Sequence, residues 1–529
     1  MRRVSEAVSQ AERRGAKRDR FKKRIFEMLF ERRFLPNSPT LMNAGLDQGQ
    51  LSACFVLPVE DHLGSIFESL KDAALIHHSG GGTGFSFSRL RPLGDVVHST
   101  VGTAAGPLAF MRIYNEMTDA IRQGGRRRGA NMGILRVDHP DIEAFIGMKH
   151  QLGEMKNFNL SVGVTHAFMR ALEARKSYAL YDPASGGEVG RLDAERVFRQ
   201  ISKMAWEGGD PGLVFLDRIN RLHPTSEEIE ATNPCGEQPL LPYESCNLGS
   251  LSLPKYRKGN TLNWALLAED IEFSIRFLDN VIEVNTFPVK AIEKVTRRNR
   301  KVGLGVMGFA DLLLEFGVRY DSVEAALWAQ RIMAFVDQRA KAASTALAKE
   351  RGAFHGFSRS MWSRLGYPPL RNMTVTTVAP TGTISTLAGV SSGIEPIFSA
   401  AVERHILEGQ KFLEIPSVLS RKTKKNQSFT GVAEWDRHAR EIFGAAWCTS
   451  GDVSVLGHLR IQTSFQRFCD AAVSKTINLP HEASVENVEE AYRLAFALGC
   501  KGITVYRDKS RAEQVLSHAN DEAGVCINC

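Results

Sequence analysis

Residues 233–249 read Asn233-Pro-Cys235-Gly-Glu237-Gln-Pro-Leu-Leu-Pro-Tyr-Glu-Ser-Cys246-Asn-Leu-Gly. Proline and glycine on both sides of Cys235 break regular secondary structure, so this stretch predicts a constrained loop. Asn233 and Glu237 stand two residues from the thiol and offer it hydrogen-bonding and acid–base partners. A single cysteine is usually a small buried apolar residue, but three polar groups within five residues weaken that interpretation here. The loop is therefore a candidate reactive site.

The chain has eight cysteines, and its length and lack of a secretory signal argue against structural disulfides. Cys526 and Cys529 form a lone CxxC motif at the end of the sequence. Such a motif is either half of a zinc site or a dithiol redox pair. No second CxxC or nearby histidine pair completes a zinc ligand set, so we predict no metal site. A dithiol on a mobile terminus can exchange disulfides with a buried site.

Composition places the chain among globular proteins. The 529 residues are 43% hydrophobic and 24% charged, which excludes disordered and collagen-like classes. No apolar run approaches the ~18 residues of a membrane span, and no secretory signal is visible, so we expect a cytoplasmic protein. Residues 1–33 hold 12 Lys and Arg against 5 Asp and Glu, so nearly all of the net charge of +8 lies there.

That basic segment has two interpretations. It could bind nucleic acid together with residues 126–128, which are all arginine. The favoured alternative is a solvated amphipathic helix with Ile25, Phe26, Leu29 and Phe30 on its buried face. No aromatic binding motif accompanies the basic residues, so nucleic acid is not an expected partner.

Helices and strands alternate along the chain, which favours an α/β architecture. Asp61 is predicted to cap a helix that buries Leu63, Ile66, Phe67 and Leu70. Residues 373–379 read as a buried strand. Residues 485–498 read as a helix between Ser484 and Gly499, and residues 503–506 as a strand directly after it.

Three glycine-rich strings are candidate ligand sites. Residues 303–308 match the dinucleotide fingerprint, but no buried strand precedes them, so we expect close backbone packing instead. Residues 80–84 predict a flexible turn, which either admits a ligand or only permits positive φ. Residues 379–385 follow the predicted strand and can open a helix with free N–H groups for a phosphate; a purely structural turn is equally consistent with them.

Several strings of the chain resemble one family in order. They are Phe34-Leu-Pro-Asn-Ser-Pro-Thr-Leu-Met-Asn-Ala-Gly45, Leu51-Ser-Ala-Cys54-Phe-Val-Leu-Pro58, Gly80-Gly-Gly-Thr-Gly-Phe85, Gln123-Gly-Gly-Arg-Arg-Arg-Gly-Ala-Asn131, Asn233-Pro-Cys-Gly-Glu237, Ala379-Pro-Thr-Gly-Thr-Ile-Ser385, Ser474-Lys-Thr-Ile-Asn-Leu-Pro480 and Gly499-Cys-Lys-Gly-Ile-Thr-Val-Tyr-Arg507. With them the chain resembles the ribonucleotide reductase catalytic subunit, most closely the class II, adenosylcobalamin-dependent form.

The resemblance implies an α/β fold: a ten-stranded α/β barrel of two five-stranded halves with a central finger loop. We expect a basic helical N-terminal segment at 1–33, the barrel at 34–510 with the finger loop at about 233–250, and a C-terminal redox tail at 511–529. The segment before the barrel is short, so we expect no ATP-cone domain. The short tail leaves its reach to the active site open.

The resemblance also implies catalytic roles. Cys235 would be the thiyl radical that abstracts the ribose 3′ hydrogen, Glu237 the base toward the 3′ hydroxyl, and Asn233 a hydrogen-bonding partner of the sugar. Cys54 and Cys246 would donate protons and electrons as the 2′ hydroxyl leaves, and would end as a disulfide. Cys526 and Cys529 would reduce that disulfide and be re-reduced by a thioredoxin- or glutaredoxin-like donor.

Binding sites are implied as well. The substrate would lie against Ser38, Ala53, Thr381, Gly382, Thr383, Ile384 and Ser385. A dNTP or ATP effector would contact Asp61 and Arg91, and residues 122–133 with Arg127 would relay its identity. A ribonucleotide is the expected substrate, with the diphosphate favoured over the triphosphate, and a homodimer is the assembly considered.

Alternatives to the class II enzyme differ in where the radical comes from. A class I subunit would need a separate radical-generating protein, but no tyrosine follows Tyr506. A glycyl-radical enzyme would carry a glycyl-radical motif near the end of the chain, and the sequence has no such motif. A non-catalytic nucleotide- or nucleic-acid-binding protein would not need five redox cysteines together with Asn233 and Glu237.

Overall fold

The computed structural model describes residues 1–47, 49–97, 102–121, 129–150, 154–405, 411–424, 427, 429, 431–510 and 517–518. Its helices are α1 (Arg2–Ser9), α2 (Ala16–Phe30), α3 (Ser38–Asn43), α4 (Leu63–His78), α5 (Gly106–Ala120), α6 (Ile142–Ile146), α7 (His166–Glu173), α8 (Ala194–Gly208), α9 (Leu216–Arg221), α10 (Trp264–Val284), α11 (Lys290–Asn299), α12 (Phe309–Phe316), α13 (Val323–Arg351), α14 (Met361–Arg364), α15 (Gly382–Ala388), α16 (Ser417–Ser420), α17 (Val432–Phe443), α18 (Val455–Gln466) and α19 (Val485–Leu498).

The strands run in the same order. They are β1 (Phe34–Pro36), β2 (Cys54–Val56), β3 (Gly82–Ser86), β4 (Val96–Val97), β5 (Gly102–Thr103), β6 (Asn131–Arg136), β7 (Phe158–Val164), β8 (Ser177–Tyr181), β9 (Glu188–Asp193), β10 (Gly212–Phe215), β11 (Ala231–Thr232), β12 (Pro239–Leu240), β13 (Glu244–Ser252), β14 (Arg257–Lys258), β15 (Thr261–Leu262), β16 (Val302–Met307), β17 (Val402–His405), β18 (Lys411–Glu414), β19 (Thr476–Leu479), β20 (Gly502–Arg507) and β21 (Ser517–His518).

The main sheet consists of two parallel halves. Strands β2, β3, β6, β7 and β10 pair in parallel and form the first half. In the second half, β13 pairs with β16 and β19 pairs with β20, again in parallel. Residues 373–379 lie between these pairs through the bridges Leu304↔Thr376 and Val378↔Val473. The predicted α/β fold is confirmed, with a ten-stranded sheet that includes β1 and with residues 373–379 bridging the two strand pairs of the second half.

Antiparallel seams join the two halves. One seam is β10 on β20, and the other is β13 on β2. Strand β1 adds to β13 outside this ring, with Phe34 opposite Leu251. Side chains that point inward from β2, β6, β10 and β13 form one apolar cluster with the segment around 229–241. The loop that carries Cys235 is therefore packed inside the sheet.

The sequence predicted several of these elements correctly. The α19 helix is capped by Ser484 and Asn487 and ends at Gly499, whose φ of 96° favours glycine. Strand β20 follows at once. Residues 373–379 are buried and extended as predicted, but make isolated bridges rather than a regular ladder.

Other details were wrong. Helix α2 buries Ile25 and Leu29, but Phe30 is 68% exposed, because the buried face turns toward Phe21 and Met28. Helix α4 buries Ile66 but exposes Leu63 and Phe67. His62, not Asp61, precedes α4 as its cap residue.

The 303–308 string is packed as expected, though in a strand rather than beside a helix. It falls largely within β16, and a Cβ at Gly305 would lie 2.3 Å from the Thr377 carbonyl oxygen. None of the helices in the described part of the chain is long and apolar enough to cross a membrane.

Candidate active site

Cys235 lies at the tip of a short hairpin, which we call the finger. Strands β11 and β12 pair and form its stem, and residues 233–238 form its tip. Pro234 occupies the second position of a turn in which the Gly236 N–H donates to the Asn233 carbonyl over 3.0 Å. The Asn233 side-chain oxygen accepts from the Gln238 N–H over 2.9 Å. This arrangement leaves the Cys235 side chain exposed.

The glycine string at 80–84 makes room for the finger. Gly82 and Gly84 belong to strand β3, so the predicted flexible turn is wrong for them; Gly80 has a positive φ of 96°. A Cβ at Gly84 would lie 1.7 Å from the Thr232 carbonyl oxygen, and one at Gly82 would lie 2.9 Å from Pro234. The backbone of the finger, rather than a ligand, requires these glycines.

Cys54 and Cys246 are direct partners across the β2–β13 seam. Opposed residues of antiparallel strands have Cα atoms about 4.5 to 5.5 Å apart, within the range of roughly 4.4 to 6.8 Å that disulfides use. Both side chains are almost completely buried. The structure thus brings together two cysteines that are far apart in sequence, with strands β3, β6, β7 and β10 between them.

The finger supplies both polar neighbours of Cys54. The Asn233 side-chain amide donates to the Cys54 sulfur over 3.1 Å, and that thiol donates to Glu237 Oε1 over 3.9 Å. Burial raises the pKa of Cys54 well above its usual value, and the Glu237 carboxylate, Cys246 and Cys235 raise it further. Cys54 is therefore held as a protonated thiol beside a carboxylate.

Cys246 faces backbone instead. Its thiol lies 3.6 Å from the carbonyl oxygens of Asn247 and Lys301. Burial raises its pKa well above the usual value, and the Lys301 ammonium partly opposes that rise. The Lys301 ammonium pairs with Glu244 over 2.7 Å, and both side chains are buried. Sequence reasoning missed this ion pair, because no local signal distinguishes a buried lysine from a solvated one.

Cys235 also lines a cavity of about 660 Å³ that opens to solvent. Strands β7, β10, β19 and β20 form one side of it, and residues 385–399 form another. Its polar lining includes Asn159, Ser385, Glu395, Lys475, Thr476 and Tyr506. Lys475 is buried and pairs with Glu395 over 2.6 Å.

The predicted substrate-binding residues fall in neighbouring places. Gly382 and Thr383 are exposed at the start of α15, after Thr381 with a φ of 58°. Ser385 and Ile384 are both buried, and Ser385 lines the same cavity as Cys235. Ser38 opens α3 directly after β1, a strand that contacts α15. Ala53 precedes Cys54 and accepts from the Gly82 N–H over 3.0 Å.

The predicted effector residues pair with each other. Asp61 Oδ2 accepts from Arg91 Nε over 2.8 Å, and Asp61 Oδ1 accepts from the Arg91 N–H over 3.2 Å. This use of the carboxylate explains why Asp61 does not cap α4. Arg127 lies outside the described residues, as do Cys526 and Cys529. Cys448, Cys469 and Cys500 are buried free thiols.

Two family models match the chain: "Ribonucleotide reductase, all-alpha domain" over residues 1–49 and "Ribonucleotide reductase, barrel domain" over residues 52–506. A vitamin B12-dependent ribonucleoside-diphosphate reductase of Thermoplasma acidophilum is 48% identical, covering 96% of this chain and 68% of the relative. One of Mycobacterium tuberculosis is also 48% identical, covering 94% and 72%. A ribonucleoside-diphosphate reductase subunit alpha of Chlamydia pneumoniae is 30% identical, covering 73% and 44%.

Proposed function

The chain belongs to the ribonucleotide reductase family, and on that premise we propose that it is an adenosylcobalamin-dependent enzyme that reduces ribonucleoside diphosphates to 2′-deoxyribonucleotides for DNA synthesis. The observation that carries this proposal is the finger, which presents Cys235 at a cavity and places Asn233 and Glu237 against Cys54. The class I alternative is less well supported, because two relatives named B12-dependent ribonucleoside-diphosphate reductases match at 48%, whereas the subunit alpha matches at 30%.

We assign the steps of reduction to the five residues around the finger. Cys235, as a thiyl radical, removes the 3′ hydrogen, and Glu237 takes the proton of the 3′ hydroxyl. Asn233 orients the sugar hydroxyls. Cys54 protonates the leaving 2′ hydroxyl. This role suits Cys54, because burial and the Glu237 carboxylate raise the pKa of its thiol and so keep it protonated. Cys54 and Cys246 then supply two electrons, the Cys246 hydrogen goes to C2′, and the pair closes as a disulfide. Glu237 returns its proton to the 3′ oxygen and Cys235 returns the 3′ hydrogen to the sugar.

The polar lining of the cavity beside Cys235 suits a cofactor with many amide groups. It is open to solvent, and hydroxyl, amide and ion-paired side chains line it next to the exposed thiol. Thr476 and the Glu395–Lys475 pair are the residues that would hold the cofactor. When bound, adenosylcobalamin supplies the radical equivalent that converts a thiol to a thiyl. The chain's own contribution is to present that thiol and to shape the cavity.

The substrate diphosphate is proposed to bind at residues 381–385 opposite Ser38, with Ala53 beside the sugar. Gly382 and Thr383 are exposed, and Ser385 lines the same cavity as Cys235, which supports this assignment.

A dNTP or ATP effector is proposed to bind at Asp61 and Arg91, with Arg127 in the relay segment.

A homodimer is part of the proposal. Leu63, Phe67 and Leu75 recur every fourth or eighth position of α4 and are all exposed, which is the pattern of a helix that packs against another surface.

Re-reduction of the Cys54–Cys246 disulfide is assigned to Cys526 and Cys529, followed by a thioredoxin- or glutaredoxin-like donor. A cytoplasmic location is part of the proposal, because reducing compartments keep cysteines as thiols and the six described cysteines are free.

An anaerobic assay with CDP, dithiothreitol and effector nucleotides tests the proposal. We expect dCDP only when adenosylcobalamin is added. Absence of product from CDP and CTP with the cofactor present would contradict it, and dCDP formed without the cofactor would contradict the class assignment.

A further inference from the structure

The finger tip is held from both halves of the barrel. From the first half, the side-chain amide of Asn159 on β7 donates to the Pro234 carbonyl oxygen over 2.9 Å. From the second half, the Thr377 hydroxyl donates to the Glu237 carbonyl oxygen over 3.0 Å, and the Ala472 N–H donates to the same oxygen over 2.9 Å. The carbonyls that flank Cys235 and Gly236 are therefore each bound by residues outside the finger.

Packing holds the buried residues at either end of the tip but not the two residues between them, Cys235 and Gly236. Cys235 is exposed, and a Cβ at Gly236 would meet no atom within 4 Å. Gly236 also has a φ of 80°, a conformation that glycine adopts freely and that leaves the turn easily deformed. Hydrogen bonds to the backbone on either side of Cys235 therefore act together with the burial of Pro234 and Glu237 in setting where the thiol points.

The two anchors differ in their surroundings. Thr377 is 1% exposed and belongs to a segment that is held rigidly: the Val375 N–H donates to Asp470 over 2.9 Å, and the Asp470 N–H donates to Thr376 over 2.9 Å. Asn159 is exposed and lines the same cavity as Cys235. Thr377 is not among the described residues that line this cavity.

We propose that Asn159 and Thr377 form a two-sided clamp of positioning residues that sets the location of the Cys235 sulfur between the substrate and the cavity. This inference rests on the proposed function for its kinetic consequence but not for the clamp itself. Neither residue is assigned a contact with the substrate. Misplacement of a reacting atom by about 1 Å costs on the order of 100-fold in rate, so loss of either anchor is expected to lower kcat strongly.

Three variants test the clamp. Asn159→Leu removes one side-chain donor at similar volume. Thr377→Val removes the second side-chain donor with an isosteric side chain and leaves the Ala472 N–H on the same oxygen, and Thr377→Ser restores the hydroxyl. Thr374→Val is the matched control, because the Thr374 hydroxyl on the same segment donates to the Val302 carbonyl, outside the finger.

The first readout needs neither substrate nor cofactor. Alkylation of Cys235 by iodoacetamide, followed by peptide mass spectrometry, reports how the tip is held, since the other described cysteines are buried. We expect a several-fold change in rate for Asn159→Leu and Thr377→Val, and the wild-type rate for Thr377→Ser and Thr374→Val. Wild-type rates in both anchor variants would overturn the clamp.

The second readout is the division between kcat and KM at saturating cofactor. We expect kcat to fall about 10- to 100-fold with KM changed by less than about twofold, and Thr377→Ser to recover it. A raised KM at unchanged kcat would instead indicate substrate binding and would refute positioning. If Thr377→Val does not fold, the exposed Asn159 carries both readouts. Wild-type protein that makes no dCDP would refute the proposed function while leaving the alkylation test of the clamp intact.

Discussion

At the scale of single residues, three cysteines with one side-chain chemistry occupy three environments. Cys235 is exposed at the finger tip, Cys54 lies between an amide and a carboxylate, and Cys246 faces backbone carbonyls. These environments suit three proposed roles. Cys235 abstracts a hydrogen, Cys54 donates a proton, and Cys246 supplies two electrons together with Cys54 when the pair forms a disulfide. The finger provides two of these environments, because it carries Cys235 and both neighbours of Cys54.

The Glu237 carboxylate is expected to raise the pKa of the Cys54 thiol. In Glu237→Gln, removal of the negative charge is expected to lower the pKa of Cys54, since that carboxylate is the largest influence on it after burial. Loss of the base should also reduce kcat by about 10²- to 10⁴-fold. The pKa is checked by the pH dependence of thiolate ultraviolet absorbance, taken as the difference between proteins with and without Cys54→Ser, and kcat is checked by steady-state kinetics. A kcat close to wild type would refute the role of Glu237 as base.

The Lys301–Glu244 pair should matter for stability. Removing one partner of a buried ion pair leaves an unpaired charge and typically costs about 3–5 kcal/mol. Lys301→Met is therefore expected to lower the free energy of unfolding by an amount in that range, measured by urea denaturation. Glu244→Gln introduced into Lys301→Met should recover part of the loss. Equal stability of wild type and Lys301→Met would contradict this expectation.

At the scale of elements, α1 and α2 are attached to the barrel by a buried carboxylate between them. Glu12 accepts two bonds of 2.6 Å from Arg276, one of 2.7 Å from Asn280 and one of 2.8 Å from Arg351. These partners lie on α10 and α13. Charge-assisted hydrogen bonds in this number fix the N-terminal helices to the barrel.

Glu12→Gln should loosen that attachment. Without the negative charge, Arg276 and Arg351 lose a buried partner, so trypsin is expected to cleave within residues 13–24 faster than in wild type. Glu6→Gln is the matched control, because Glu6 is exposed and its contact with Lys22 is 3.8 Å long. Equal cleavage rates in Glu12→Gln and Glu6→Gln would show that Glu12 does not hold the helices.

Elements with strong local signals were predictable, and those decided by the rest of the fold were not. Helix α19 has a capping residue at one end and a glycine at the other, so its bounds follow from sequence. The glycines of β3 suggested a turn, because the close approach of the Thr232 backbone that requires them comes from residues far along the chain. The exposure of Phe30 likewise depends on how α2 meets α10.

The residues of the active site divide in the same way, into those that local sequence indicates and those that only the fold brings together. Cys235, Asn233 and Glu237 stand close together in sequence, and resemblance gave them roles that stay predictions. Cys54 and Cys246 meet only through the β2–β13 seam, which no local pattern reveals. Asn159 and Thr377 could not be found from sequence, because each acts on the finger from a different barrel half.

At the scale of the whole molecule, buried histidines should make the fold sensitive to acid. Burial lowers the pKa of His223 to about 2 and also lowers the pKa values of His77, His139 and His458. In the unfolded chain these imidazoles bind a proton below about pH 6.5, whereas in the folded chain they stay neutral. Their contribution to stability is thus present above pH 6.5 and is lost as the pH falls.

Each such imidazole lowers the free energy of unfolding by up to about 1.4 kcal/mol as the pH falls from 7.5 to 5.5. His223→Gln is expected to lose less stability than wild type across that interval by roughly this amount, measured as urea midpoints at both pH values. An identical loss in wild type and His223→Gln would show that His223 does not contribute.

The central claim concerns the whole assembly of barrel, finger and cysteine pair, and one single-turnover measurement tests it most directly. The protein with Cys526→Ser and Cys529→Ser is reduced, freed of reductant, and mixed with CDP, effector nucleotide and adenosylcobalamin. We predict one dCDP per chain together with a Cys54–Cys246 disulfide on peptide mapping, and neither when Cys235→Ser is added. Formation of dCDP without that disulfide, or in the Cys235→Ser protein, would contradict the account.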